Sequence, residues 1–231
     1  MSRIICVIGN KGGTGKTTLS HMLCQGLGLL GQRSACVLTD THREPLAPDG
    51  RRYVTADGRT PEALHKIVGK LRTMEGWVGV IDGGGNRADV DRLLDSLSDI
   101  VIVPFRDSHE DLRTTLADLQ TFPHAYGLPS QWPTNAWQRD AADRNVAQLL
   151  GDYRDRLLQP VASLSASKLL LQKQIPDSLP SNLGNACRSL ARQVLEILEI
   201  GDAEADRHTA QPTAAIPAAA LPQGYASAAR H

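Results

Sequence analysis

Short unbroken apolar runs alternate along this chain with longer stretches in which apolar residues return every three or four positions. The short runs, bounded by turn residues, read as strands buried on both faces, and the longer spacing reads as helices lying over them. Strands are predicted at residues 4–8 (Ile-Ile-Cys-Val-Ile), 35–39, 78–81 and 100–104. The first helix is predicted from Lys16 to Leu30, where Leu19, Leu23, Leu27 and Leu30 share one face and Gly31 supplies the stop. Further helices are predicted at 60–74, 90–97, 110–122 and 141–156. A last one spans 182–198, with Leu183, Ala186, Leu190, Ala191, Val194, Leu195 and Leu198 on a core-packing stripe. Strand and helix in alternation predict an α/β fold: a doubly wound, mostly parallel sheet flanked by helices.

That pattern stops near residue 200. From Gly201 the chain turns to Ala, Pro, Gln and Ser without periodicity, so residues 1–200 are expected to form one domain and 201–231 a disordered tail. Prolines at 212, 217 and 222 argue against a membrane-binding helix in that tail. The 231 residues suit a single substantial core. Lys and Arg total 25 and Asp and Glu total 25, so no global field draws the chain to nucleic acid or to a membrane, and any such binding needs a local patch. Cys6, Cys24, Cys36 and Cys187 form no CxxC pair, which reads as thiols in a reducing compartment. No apolar run reaches bilayer length, and the N-terminal one is too short for a signal peptide, so a cytoplasmic location is expected.

The chemistry concentrates directly after the first strand, in Lys11-Gly12-Gly13-Thr14-Gly15-Lys16-Thr17-Thr18. Glycines between a buried strand and a helix let backbone N–H groups close on a polyphosphate, and the helix start adds the positive end of its dipole. Lys16 is placed to reach β and γ phosphates, and the Thr17 hydroxyl to complete a Mg²⁺ shell. The second chemical element is Val78-Gly79-Val80-Ile81-Asp82, a buried strand ending in an acid at the carboxyl edge of the sheet, where it can hold the same Mg²⁺. Gly83-Gly84-Gly85-Asn86-Arg87 follows it and is expected to be a loop that senses the γ-phosphate.

The common phosphate loop has glycine where this chain has Asn10, and it lacks the lysine that stands here at Lys11. With that departure the segment resembles the deviant Walker A loop of the ParA/MinD family of ATPases. The resemblance implies ATP and Mg²⁺ as ligands, Gly12, Gly13, Thr14, Gly15, Lys16, Thr17 and Thr18 as the nucleotide cradle, and Thr17 with Asp82 as the metal residues. It implies a homodimer formed on ATP binding, in which Lys11 of each subunit reaches the other's phosphates. Two acids usually follow the family's second strand, whereas Ala35-Cys36-Val37-Leu38-Thr39-Asp40 provides one. Aligned without gaps, Asp40 is the acid that positions the attacking water and Leu38 replaces the other. Aligned on the strand end, Asp40 is the first acid and His42 replaces the second. The ungapped reading is preferred because the intervening helix has the usual length. The family's adenine-reading Asn, at the end of a later strand, corresponds to Asn135 in the run 128–135.

Residues 99–105 with Ser108, and 174–178 with the last helix, resemble further family segments, the latter a closing strand and loop. The family reading is an ATPase that partitions or positions plasmid or chromosomal DNA, stimulated by a ParB-like or other protein activator and without membrane attachment. Lys168, Lys173, Arg188 and Arg192 flank the region where members carry a DNA patch, which would associate the protein with the nucleoid. A nucleotide-switched adaptor that positions a conjugation or secretion complex without touching DNA remains open beside it. Cysteines at strand ends suited to bridging an iron–sulfur cluster are missing, as is a guanine-reading Thr-Lys-x-Asp motif.

Overall fold

The computed structural model of the chain describes residues 2–84 and 88–198. Six strands form one sheet: β1 (Arg3–Val7), β2 (Arg33–Leu38), β3 (Val54–Asp57), β4 (Trp77–Asp82), β5 (Ile100–Phe105) and β6 (Ala125–Pro129). Their order is β3-β2-β4-β1-β5-β6, and every pairing is parallel. Helices α1 (Lys16–Leu29), α2 (Pro61–Arg72), α3 (Ala88–Leu97), α4 (His109–Thr121), α5 (Ala136–Leu150) and α6 (Ser181–Ile197) connect and cover the strands.

Two apolar layers enclose the sheet. On one side Leu23 and Leu27 of α1 pack with Leu183, Leu190 and Val194 of α6 and with Ile5 and Val80. On the other, Leu64, Val68, Leu112 and Leu119 pack against Ile4, Ile81, Val101 and Val103. Burial on both faces explains why the central strands read as unbroken apolar runs rather than as an alternating pattern. Helices α1 and α6 approach closely at Gly26, where a β-carbon would collide with the Cys187 carbonyl oxygen. That approach explains a glycine inside a helix, which otherwise costs about 1 kcal/mol relative to alanine.

The expected α/β sheet is present, with four corrections. Strand β3 is additional, and the strand expected in the run 128–135 is shifted: β6 (Ala125–Pro129) shares only residues 128 and 129 with that run and ends before Asn135. β6 lies at the edge of the sheet, where a terminal proline is tolerated. Helix α5 starts at Ala136, five residues before its predicted start, because Asn135 caps it, and residues Gly151–Arg156 tighten into a 3-10 segment. The closing strand expected at 174–178 does not form; instead, among the described residues, the outer edge of β6 is met by a single bridge from Gly127 to Leu157 and by the Val161 N–H donating to the Pro129 carbonyl oxygen, with a further bridge from Trp132 to Ala162 just past the strand. The expected tail (201–231) and residues 85–87 of the expected sensing loop lie outside the described residues.

Candidate functional site

The sheet brings the carboxyl ends of β1, β4 and β2 together, since Val7 and Leu38 both lie opposite Asp82 in register. From β1 the chain enters a loop with three positive-φ glycines: Gly9 (146°), Gly13 (78°) and Gly15 (89°). Gly15 is also the N-cap of α1, in the left-handed region and with no side-chain cap. By contrast α2, α4 and α5 have the side-chain oxygens of Thr60, Ser108 and Asn135 accepting from their first-turn N–H groups. Helix α1 also has no acid in its first turn, so its N–H groups and dipole present an anion site.

Lys16 lies inside this loop, buried, and its Nζ donates to the carbonyl oxygens of Gly9 (3.0 Å) and Lys11 (2.7 Å). Burial lowers its pKa, opposed by the charges of Asp91, Asp82 and Asp118. Lys11 has a different setting. Its ammonium stands at the rim, 2.7 Å from Glu110 Oε1 and 4.0 Å from Asp111 Oδ1 in the first turn of α4, and is 29 % exposed. Gly12 and Gly13 between them are exposed, Thr14 is buried, and Thr17 and Thr18 are half-buried at the start of α1.

Asp82 ends β4 buried to 1 %, and neither carboxylate oxygen has a hydrogen-bond partner within the protein. Burial raises its pKa, an effect resisted by the Thr17 hydroxyl, Arg43 and the Gly84 N–H. An unsatisfied buried carboxylate beside a threonine hydroxyl is a poor way to stabilise a fold and a good half-shell for a hard cation. The residues therefore fit Mg²⁺. Among the described residues no three His, Cys, Asp or Glu side chains cluster as a ready metal cage, so phosphate and water oxygens would complete the shell.

Asp40 lies two residues past β2. Its Oδ1 accepts from the His42 N–H (3.0 Å) and its Oδ2 from Arg43 Nε (3.2 Å), a strand-end turn closed by an ion pair. Between this turn, α1 and β2 opens a cavity of about 220 Å³ lined by Thr17, His21, Cys36, Arg43 and Asp82, among others. Thr17 and Asp82 thus line one cavity beside the start of α1, and Asp40 is bonded to Arg43 on its wall.

Asn135 does not belong to this group by its bonding. Its Oδ1 accepts from the N–H groups of Trp137 (3.0 Å) and Gln138 (3.3 Å) as the cap of α5, beyond the end of β6. The polar pair that follows β6 directly is Ser130-Gln131. The Ser130 hydroxyl lies 2.7 Å from the Thr14 carbonyl oxygen, and Gln131 Nε2 donates to Gly13 O at 3.0 Å. Gln131 holds φ at 52°, an uncommon conformation for a residue with a β-carbon. Asn10, opposite, donates to the buried Asp118 on α4 at 2.7 Å. Sequence reasoning missed these supports; the available signal was polar residues immediately past a strand on the same sheet edge as the loop. Of the tryptophans near Asn135, Trp132 is buried edge-on against Phe105 and bonded to Asp143, while Trp137 is 77 % exposed.

Residues 5–130 match the family described as the CobQ/CobB/MinD/ParA nucleotide binding domain. No curated protein matches the chain in sequence. Among solved structures, the MinD cell division protein of Aquifex aeolicus superposes with a TM-score of 0.66 at 14 % identity, over 84 % of this chain and 97 % of that one. The septum site-determining protein MinD of Pyrococcus horikoshii, complexed with Mg-ADP, gives 0.63 at 16 %, over 87 % and 98 %. A putative plasmid partition protein of Borrelia burgdorferi bound to AMPPNP gives 0.61 at 12 %, over 85 % and 100 %. At these identities the structural likeness carries the fold alone.

Proposed function

The chain belongs to the CobQ/CobB/MinD/ParA nucleotide-binding family, and from that premise we propose that it is an ATPase whose ATP-bound homodimer partitions or positions DNA. The observation that carries this reading is the division of labour between the two loop lysines. Lys16 fills the inside of the loop, and Lys11 waits on its rim, partly exposed and facing outward enough to pair with Glu110. One lysine suffices to hold phosphates; a second one outside the cradle is explained by phosphates that belong to another subunit.

In this mechanism Lys16 exchanges two carbonyl oxygens for phosphate oxygens, a stronger charge-assisted bond. The N–H groups of Gly12 to Thr18 close on the triphosphate, and Thr17 and Asp82 hold Mg²⁺. The metal, when bound, neutralises charge that develops on the transferring phosphoryl group. Asp40, released from Arg43, accepts a hydrogen bond from the attacking water and orients it. Lys11 leaves Glu110 for the partner's phosphates, so ATP and dimer stabilise each other. Gly83 and Gly84, next to Asp82, transmit the state of the γ-phosphate to a partner protein, a ParB-like activator in the DNA reading.

Lys168, Lys173 and Arg192 are exposed and Arg188 is half-buried, bonded to Asn185. Dimerisation would double the positive surface these residues offer, giving nonspecific, salt-dependent DNA binding and association with the nucleoid in a cytoplasmic protein. The described residues contain no helix long and apolar enough to cross a membrane. The zero net charge favours the second reading, a nucleotide-switched adaptor for a protein complex. Duplex DNA retardation by the ATP-loaded protein at low salt separates the two. A shift that weakens with salt supports partition, and no shift leaves the adaptor.

A further inference from the structure

The loop that follows β2 carries a cation that none of the roles above uses. Arg43 lies on the wall of the cavity that also contains Thr17 and Asp82, and its guanidinium bonds Asp40 Oδ2 through Nε at 3.2 Å. The root of this loop is pinned. Thr55 Oγ1 donates to Leu46 O (2.7 Å), and Arg51 bonds the Tyr53 hydroxyl and the carbonyl oxygens of Leu170 and Gln172. Residues 41–45 before the pin are exposed, and the Arg43 carbonyl oxygen is itself held by Arg59 Nη1 at 3.0 Å, so the Arg43 side chain reaches out from an exposed but tethered turn.

We propose that Arg43 is a catalytic arginine supplied by the same subunit, which leaves Asp40 on ATP binding and contacts the γ-phosphate at the mouth of this cavity. The inference rests on the ATPase reading above. A γ-phosphate at Thr17 and Asp82 meets Lys16 from the loop side, and Arg43 is the cation among the residues that line this cavity. Exchange of partners has two effects: the arginine gains phosphate oxygens, and Asp40 loses the bond that occupies one of its oxygens. In the hydrolytic step the water oxygen bonds the γ-phosphorus while the bond from phosphorus to the bridging oxygen breaks. ADP leaves with that oxygen, inorganic phosphate forms, and the water's proton passes to Asp40 and then to solvent. Arginines that stabilise such charge contribute about 10³- to 10⁵-fold to turnover in phosphoryl-transfer enzymes.

The test compares wild type, Arg43→Ala and Arg43→Lys in steady-state ATP hydrolysis, in ATP and ADP affinity and in thermal melting. Arg43→Ala is expected to lose about 10²-fold or more in kcat, with ADP affinity and melting unchanged. Added guanidinium ion should restore part of that loss in Arg43→Ala and none in Arg43→Lys. A kcat close to wild type overturns the proposal. So does a loss that guanidinium does not restore, or one accompanied by equal loss of ADP affinity. If the wild type binds ATP without hydrolysing it, the ATPase reading fails, and the ratio of ATP to ADP affinity then decides Arg43 by itself. A ratio that falls about tenfold in Arg43→Ala supports the contact, the change expected for one charge-assisted bond, and an unchanged ratio overturns it.

Discussion

The centre of the sheet and its β6 edge both place polar residues at the carboxyl ends of strands, and the two regions treat them in opposite ways. At the centre the groups are left in costly states. Asp82 is buried with neither carboxylate oxygen partnered among the described residues, and Lys16 is a buried ammonium that donates to two carbonyl oxygens of its own loop. At the β6 edge the groups are occupied: Ser130 and Gln131 brace the loop, and Asn135 caps a helix. Folding alone would favour satisfying every buried polar group. A carboxylate left unpartnered beside a phosphate loop is explained by a ligand, whereas a region with all its bonds made supports the structure around it.

This contrast is broken most decisively by Lys16→Ala. Nucleotide affinity should fall at least about 10- to 100-fold, the worth of a charge-assisted hydrogen bond of about 1.5–3 kcal/mol. The nucleotide-free melting temperature should hardly move, because a buried charge disappears along with its two bonds. A large destabilisation without nucleotide would show Lys16 to be structural.

Asp82→Asn comes next. Its pKa is raised by burial, so the folded state holds the proton more tightly than the unfolded chain does. Its contribution to stability is therefore greatest below the ordinary carboxylate pKa and is lost as pH rises through the higher, folded value. Asp82→Asn should remove that slope and raise nucleotide-free stability at neutral pH, because the amide carries no charge to desolvate. It should also abolish the dependence of nucleotide affinity on Mg²⁺. Denaturant titrations across pH and binding with and without Mg²⁺ measure both halves. Loss of stability in the variant would contradict a reserved carboxylate.

The smallest effect belongs to the edge. Asn135→Ala should cost about 1 kcal/mol through the lost helix cap and leave ATP affinity within about twofold. A selective loss of ATP over GTP binding in that variant would restore Asn135 as a reader of the base.

The same contrast explains what could be read from the sequence. Strands β1, β4 and β5 are buried on both faces, so each writes an unbroken apolar run, and the glycine and lysine spacing after β1 has few other uses. β3 and β6 sit at the sheet's two edges, where β3 is partly exposed and β6 carries Gly127 and Pro129, and their patterns dissolve into turn chemistry. Asn135 was legible as a polar residue after an apolar segment, but a helix cap and a base reader share that signature. The bonds of Lys11 to Glu110 and of Asn10 to Asp118 join residues about a hundred positions apart, which no local pattern encodes.

The central claim is that Lys11 serves a second subunit. The direct measurement is the molar mass in solution of wild type and Lys11→Ala with Mg²⁺ and ATP, each also assayed for nucleotide binding. The account predicts that wild type becomes a dimer on ATP, whereas Lys11→Ala still binds ATP through Lys16 and stays monomeric. A Lys11→Ala protein that dimerises on ATP as wild type does would contradict it.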